Sequence, residues 1–242
     1  DQVAVTLKDA SGTADSMTVN IKTGSLSKGI AQTVGEVVVE NTETLTIDSS
    51  GLTTGIANTL TTLTGGVALT TLNVTGDSNL TATGLSGNTK LATIDATTFT
   101  GDLSVDSSAT LNQTITGGKG NDTFAMGANL NNGDVLDGGS NTVIPATGVL
   151  GEDLVTATVT GLTSATGALS VANVERLNLT NNGTAVIDAT AITGAASISI
   201  DASNDVTTIS KLSTTQTVGL GFKDLSGGVG ALGTLTVSLA DE

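Results

Sequence analysis

Gly117-Gly118-Lys119-Gly120-Asn121-Asp122-Thr123-Phe124-Ala125 is the stretch on which the fold turns. It fits the nonapeptide G-G-x-G-x-D-x-U-x, with U a large apolar residue, at every specified position. The pattern joins a tight turn to a short strand. In the turn the glycines can take positive φ and expose backbone carbonyls, while Asp122 adds a carboxylate, so that a hard, oxygen-seeking cation such as Ca²⁺ can be held. In the strand Phe124 is expected to point inward. A second turn follows at Leu136-Asp137-Gly138-Gly139-Ser140-Asn141, where Ser140 stands in place of the third glycine and Thr142 in place of the sixth-position Asp.

Short alternating segments lie on both sides of this stretch. Val3–Leu7 and Met17–Ile21 alternate apolar and polar residues around a Gly/Ser/Asp turn, which reads as a hairpin or as two adjacent strands. Further strands are expected at Glu36–Glu40, Thr44–Asp48, Ala68–Val74, Leu80–Thr83, Ala92–Asp95, Asp102–Val105 and Gln113–Ile115. Their spacing of roughly ten to twenty residues is that of coils in a β-solenoid. Residues Val37–Gly51 lie over Leu169–Gly183 without a gap, with Asn41 on Asn173, Glu43 on Glu175 and the closing glycines matched. A second echo pairs Ile94-Asp95-Ala96-Thr97 with Ile187-Asp188-Ala189-Thr190. One weak helical spacing occurs at Thr53–Leu63, where the threonines oppose it, and Leu225–Leu232 is too rich in glycine for a helix.

Composition points the same way. The chain of 242 residues has 46 Thr and 31 Gly against one Pro and three Phe, with no Trp, Tyr, His or Cys. The interior must therefore be built from Val, Ile, Leu, Ala and Thr methyls, which suit thin stacked strands. The expected fold class is all-β, a parallel β-helix or β-solenoid with a short calcium-binding insert: residues 1–116 form a Thr-rich solenoid with an N-terminal hairpin, 117–142 the insert, and 143–242 a second solenoid stretch. A net charge of −15 argues against nucleic acid, whose phosphates require clustered Lys and Arg. Without His, Cys or Tyr, and without aromatic platforms for sugars, no enzyme is expected. The absence of Cys excludes disulfides and thiolate metal sites. No run of eighteen apolar residues exists for a transmembrane helix. The chain opens at Asp1 without a Met or leader, which reads as a piece or processed product of something longer.

The nonapeptide resembles the RTX calcium-binding repeat of bacterial proteins exported by type I secretion. The longer stretch Gly117–Thr142 is similar to the short RTX insert of surface-layer proteins and large adhesins of that group, and Leu72–Asp77 and Leu91–Ala96 are similar to surface-layer sequence. The motif covers about a tenth of the chain. The resemblance implies a secreted, bacterial cell-surface protein in which calcium delays folding until after export. Ligands are expected from the carbonyls of Gly118, Gly120 and Gly139 and the carboxylates of Asp122 and Asp137, with Asp134 and Asn121 as supplements. Other corner carboxylates, Asp77, Asp95, Asp102, Asp106, Asp188, Asp201 and Asp205, are more simply read as caps of their own turns. The functional expectation is a surface-layer protein that self-assembles with bound calcium into a homo-oligomer or two-dimensional lattice, with a cell-surface polysaccharide engaged through regions outside this chain. A calcium-stabilised adhesin stalk or binding module is the alternative.

Overall fold

The computed structural model describes residues 2–6, 12–23, 30–51, 56–107, 109–141, 143–144, 149–160, 162, 169–195, 197–203, 205–223 and 234–240. Thr142 and the Leu225–Leu232 stretch lie outside these residues. Ten strands run side by side in one sheet, in the order β1 (Gln2–Thr6), β3 (Thr33–Glu40), β5 (Asn58–Thr64), β7 (Leu80–Ala82), β9 (Leu103–Asp106), β11 (Thr123–Ala125), β15 (Leu154–Val159), β17 (Arg176–Asn181), β20 (Ser197–Ser203) and β22 (Thr217–Lys223). A second sheet holds β2 (Ser16–Thr23), β4 (Thr44–Gly51), β6 (Thr71–Gly76), β8 (Thr93–Asp95), β10 (Thr114–Thr116), β12 (Val135–Asp137), β16 (Ser170–Ala172) and β19 (Ile192–Thr193). Through β12 the chain alternates strictly between the two. Each strand pairs in parallel with the strand two before it, which is the connectivity of a parallel β-helix. A smaller sheet of β18 (Ala185–Asp188), β21 (Thr207–Leu212) and β23 (Leu235–Leu239) is added towards the C-terminal end. Among the described residues one antiparallel pair, β13 (Val143–Ile144) with β14 (Val149–Leu150), interrupts the alternation.

Register turns this connectivity into a core. Val34, Leu60, Ala82, Val105, Phe124, Val155, Leu177, Ile198 and Val218 are paired one to the next across the first sheet, so one apolar column runs through nine strands. Met17, Leu45, Leu72, Ile94, Ile115, Leu136, Val171 and Ile192 form the matching column of the second sheet. All but Val34, Val218 and Met17 are buried, and those three pack against the core from its edges. Burying each side chain of this size stabilises by about 1.5–3 kcal/mol before chain entropy is subtracted. Stability is therefore spread along the stack. Phe124 is fully buried in this column, as its place in the nonapeptide predicts.

Two expectations change here. Val3–Leu7 and Met17–Ile21 do not form a hairpin: β1 pairs with β3 and β2 with β4, both in parallel, so the two strands are successive sides of one coil. Local alternation is the same in either arrangement. The described part of Thr53–Leu63 is not helical either, since Asn58–Thr64 is β5. Its Leu60 and Leu63 pair with Val34 and Val37 of the neighbouring strand, and β-branched threonines fill the outer face. The seven further strands fall where alternation predicts them. No helix of the described residues is long and apolar enough to cross a membrane.

The gapless repeat has a structural counterpart. Asn41 and Asn173 both adopt left-handed backbone, at φ 55° and 52°. Each ends one strand and turns the chain towards the next. The two segments nevertheless occupy opposite sheets: Val37–Gly51 runs from β3 in the first sheet to β4 in the second, and Leu169–Gly183 from β16 in the second to β17 in the first.

Candidate metal centre

Parallel strands enter each coil at the same corner, and their first backbone N–H groups need acceptors from outside the ladder. At the first-sheet corner several of these acceptors are side chains of the adjoining coil. Gln32 N–H donates to Asn58 Oδ1 (3.0 Å), Asp102 N–H to Asn79 Oδ1 (3.0 Å), Leu103 N–H to Asp122 Oδ1 (2.8 Å), Asp122 N–H to Asp153 Oδ1 (2.5 Å) and Asp153 N–H to Glu175 Oε2 (2.8 Å). A polar column thus follows the edge of the first sheet. It begins in amides and passes into carboxylates.

The glycine turn packs directly against this column. None of Gly117, Gly118 and Gly120 takes a left-handed φ, so positive φ is not what selects glycine there. Close approach does. A Cβ on Gly117 would fall on the carbonyl oxygen of Gly138 and against Asp122 Oδ2, one on Gly118 on the carbonyl of Phe99, and one on Gly120 on the carbonyl of Gly101. Gly139 is the turn glycine that does need positive φ, at 93°.

Asp122 is fully buried and saturated by Leu103 N–H and Gly118 N–H (2.6 Å). Burial pushes its carboxyl up to about 6, against the opposing pull of those two hydrogen bonds. Asp134 sits at the entry to the second sheet, not at this corner. It accepts Gln113 N–H and Asn131 N–H, and burial raises its pKa. Asp137 accepts Gly139 N–H and Asn173 Nδ2, both on Oδ1. The predicted residues therefore divide. Gly118, Gly120, Asp122, Asp137 and Gly139 share one corner, and Asp134 caps another strand. The Gly118 carbonyl also accepts Ser140 N–H, which ties the first turn to the second. Among the described residues no three acidic side chains are gathered closely enough to hold a metal by carboxylates alone. A cation at this corner needs backbone carbonyls as well.

Asp153 was missed in the sequence. Thr123 pairs with Leu154 and Phe124 with Val155, so Asp153 occupies in its coil the place of Asp122, and Gly151 that of Gly120. Gly138 repeats the role of Gly117: a Cβ there would fall on the Asn173 carbonyl and against Asp153 Oδ2. The second turn is thus Gly138-Gly139-Ser140 continued by Gly151-Glu152-Asp153, a full G-G-x-G-x-D split by residues 141–150, which include β13 and β14. The sequence signal was a Gly-x-Asp followed by Leu154-Val155, displaced by an insertion. Asn141 closes the insertion's base, donating to the Gly151 carbonyl (2.9 Å) and to Glu175 Oε2 (2.7 Å).

Asp153 is fully buried, and its carboxyl is pushed up to about 7, first by burial and then by the charges of Asp122, Glu175 and Asp137. The same Asp-to-Glu step recurs where the sequence repeat begins: Asp15 N–H donates to Glu43 Oε2 (2.8 Å), and Glu43 and Thr44 N–H return to the Asp15 carbonyl. Of the remaining corner carboxylates two cap their own turns, whereas Asp77 accepts Gly51 N–H and Asp102 accepts Asn121 N–H from neighbouring coils. Asp95 and Asp188 each accept the N–H two residues on, at 3.0 Å, and Asp188 also pairs with Lys211 at 2.8 Å, which holds its carboxyl down at about 2. No protein-family model matches this chain, and no curated protein or solved structure is similar to it.

Proposed function

We propose that this chain is a structural segment of a secreted bacterial surface-layer protein that folds and assembles with bound calcium. The observation that carries the reading is the glycine turn Gly117–Asp122 stacked on a buried carboxylate column. Glycines are required there because backbone carbonyls, and at Gly117 also the Asp122 carboxylate, lie where a Cβ would fall, and such an oxygen-rich environment suits a hard cation. Calcium neutralises part of the −15 charge, orders the corner, and leaves Thr-rich outer faces to dock neighbouring molecules. Extracellular calcium modules bind with Kd of about 10⁻⁴–10⁻³ M. Calcium at ten times Kd then adds only about 1.4 kcal/mol per site, so several sites or shared ions are needed for a strong switch.

The test is calcium titration followed by circular dichroism and light scattering, with electron microscopy of the product. Ordered two-dimensional arrays above millimolar calcium are the expected result. Soluble rods at high concentration would move the reading to an adhesin stalk, and no change in folding or size between chelator and calcium would remove calcium from it.

A further inference from the structure

The backbone nitrogen of a glycine that follows Asn or Asp is poorly screened, because glycine has no side chain to cover it. Such a nitrogen can attack the side-chain carbonyl carbon of the residue before it. With Asn, the new N–Cγ bond closes a five-membered imide, the amide proton passes to the departing nitrogen, and ammonia leaves. Water then opens the imide to Asp or to isoaspartate. The chain has three steps of this kind, Asn132-Gly133, Asn182-Gly183 and Asp137-Gly138. In all three the glycine N–H is taken. Gly133 donates to Asn131 Oδ1 at 2.7 Å and Gly183 to Asn181 Oδ1 at 3.1 Å, while Gly138 donates to the Ala172 carbonyl of the neighbouring strand at 2.9 Å. The first two share a sequence, Asn-Asn-Gly, and a geometry in which the leading Asn accepts the N–H two residues on. Both leading side chains are themselves fixed. Asn131 donates its N–H to Asp134 Oδ2 (2.9 Å) and its Nδ2 to the Asn129 carbonyl (3.0 Å). Asn181 is fully buried and donates Nδ2 to Thr207 Oγ1 (2.7 Å) and to the Val206 carbonyl (3.3 Å) of the next coil. Asn182 beside it is exposed to water.

We infer that Asn132 and Asn182 are latent sites of spontaneous deamidation, each held unreacted by the asparagine before it, Asn131 or Asn181, whose side-chain oxygen occupies the glycine N–H. Ring closure requires that this proton be given up and the nitrogen turned towards Cγ, so the hydrogen bond must break first. Where it breaks, the product adds one negative charge to the −15 already present. Isoaspartate also lengthens the main chain by one carbon. Asn132 lies between β11 and β12 and Asn182 between β17 and β18, so either change alters a connection whose length sets the register of the strand that follows.

The experiment follows amide loss in the whole 242-residue chain at pH 8 by peptide mass mapping, with wild type folded and in urea beside folded Asn131→Ala, Asn131→Asp and Asn181→Ala. Folded wild type is expected to keep both amides far longer than the chain in urea. Asn131→Ala should raise the rate at Asn132 roughly two- to tenfold, the worth of one hydrogen bond, and leave Asn182 at its wild-type rate. Asn181→Ala should do the reverse. Asn131→Asp keeps an acceptor oxygen in place and should hold Asn132 at the wild-type rate. Equal rates at Asn132 in wild type and Asn131→Ala would overturn the inference, as would Asn131→Asp reacting as fast as Asn131→Ala, or acceleration at both sites in Asn131→Ala. Should Asn181→Ala, which empties a buried position, not fold, the Asn131 pair still decides. A folded wild type that loses its amides as fast as the chain in urea overturns the inference by itself.

Discussion

The strand-entry column of the first sheet is built twice, in amides near Gln32, Asn58 and Asn79 and in carboxylates from Asp102 through Asp122 and Asp153 to Glu175. Both versions accept the neighbouring coil's N–H groups at strand entry, with Asn79 and Asp102 one register position before Asn58, Asp122, Asp153 and Glu175. They differ in what is left over. Asn79 takes the Asp102 N–H on Oδ1 and donates Nδ2 to Asp102 Oδ2 at 2.8 Å, so an amide returns a donor to the column. A carboxylate only accepts, so each added one leaves charge behind, and at Asp153 an unpaired oxygen as well. The coil geometry therefore asks only for an acceptor. Acidity in the middle of the stack is an additional property, one that adds to burial in raising the pKa values of Asp122 and Asp153 and makes a counter-ion useful.

The largest expected effect comes from the glycines that admit this column. Gly138→Val forces a side chain onto the Asn173 carbonyl and should cost about 3 kcal/mol or more in denaturant unfolding. Gly66→Ala, at φ 60° with open space around it, should cost only about 1–2 kcal/mol from backbone conformation. Equal losses would mean that the corner is not close-packed. Next, Asn79→Asp converts the last amide to a carboxylate facing Asp102. It should destabilise by about 1–3 kcal/mol at pH 7, and most of that loss should vanish by pH 3, where the new pair can share a proton. A loss that is the same at both pH values would refute the distinction between the two halves.

A smaller, graded effect follows from the raised carboxylates. Asp122 and Asp153 hold protons in the folded state up to about 6 and about 7, whereas in the unfolded chain they release them near 3.8. Between those limits the folded state binds more protons, so their contribution is fully present below about pH 4 and is lost as pH rises towards 7. In chelator the chain should thus become less stable over that range, and calcium should restore stability at the alkaline end. A chelated protein that gains stability from pH 4 to 7 would contradict the assignment. Smallest is the ion pair of Lys211 with Asp188. Asp188 is depressed, so its contribution exists above about pH 4 and disappears as pH falls through about 2. Lys211→Met should change the midpoint little at pH 7, as for other exposed pairs, and 1 M salt should erase the difference.

Much of this was readable in the residues. Alternation placed β3, β4 and β6 to β10, because a half-buried strand prints its two faces directly into sequence. Which sheet each strand joins was not printed: Val3–Leu7 and Met17–Ile21 look alike as a hairpin or as two sides of a coil, and only the partners Val37 and Leu45 decide. Thr53–Leu63, whose weak helical spacing reads as a loop or one to two turns, hides β5 for a related reason, since neighbouring strands claim Leu60 and Leu63. At the corner, Gly117–Asp122 was found because its motif is contiguous. Asp153 was not, because residues 141–150 separate it from Gly138 and Gly139, and contiguity is a property of the chain while the corner is a property of stacked coils.

The swapped positions of Val37–Gly51 and Leu169–Gly183 carry one more consequence. One strand, a left-handed Asn, a Glu and a second strand make up the shared unit, and it works equally well starting from either sheet. The interchangeable element is accordingly half a turn of the helix, not a whole one. A gene duplication or deletion of a single such half would keep side chains facing inward throughout, yet it would move every downstream loop to the opposite flank of the rod. Length and the side on which loops are displayed can then evolve separately.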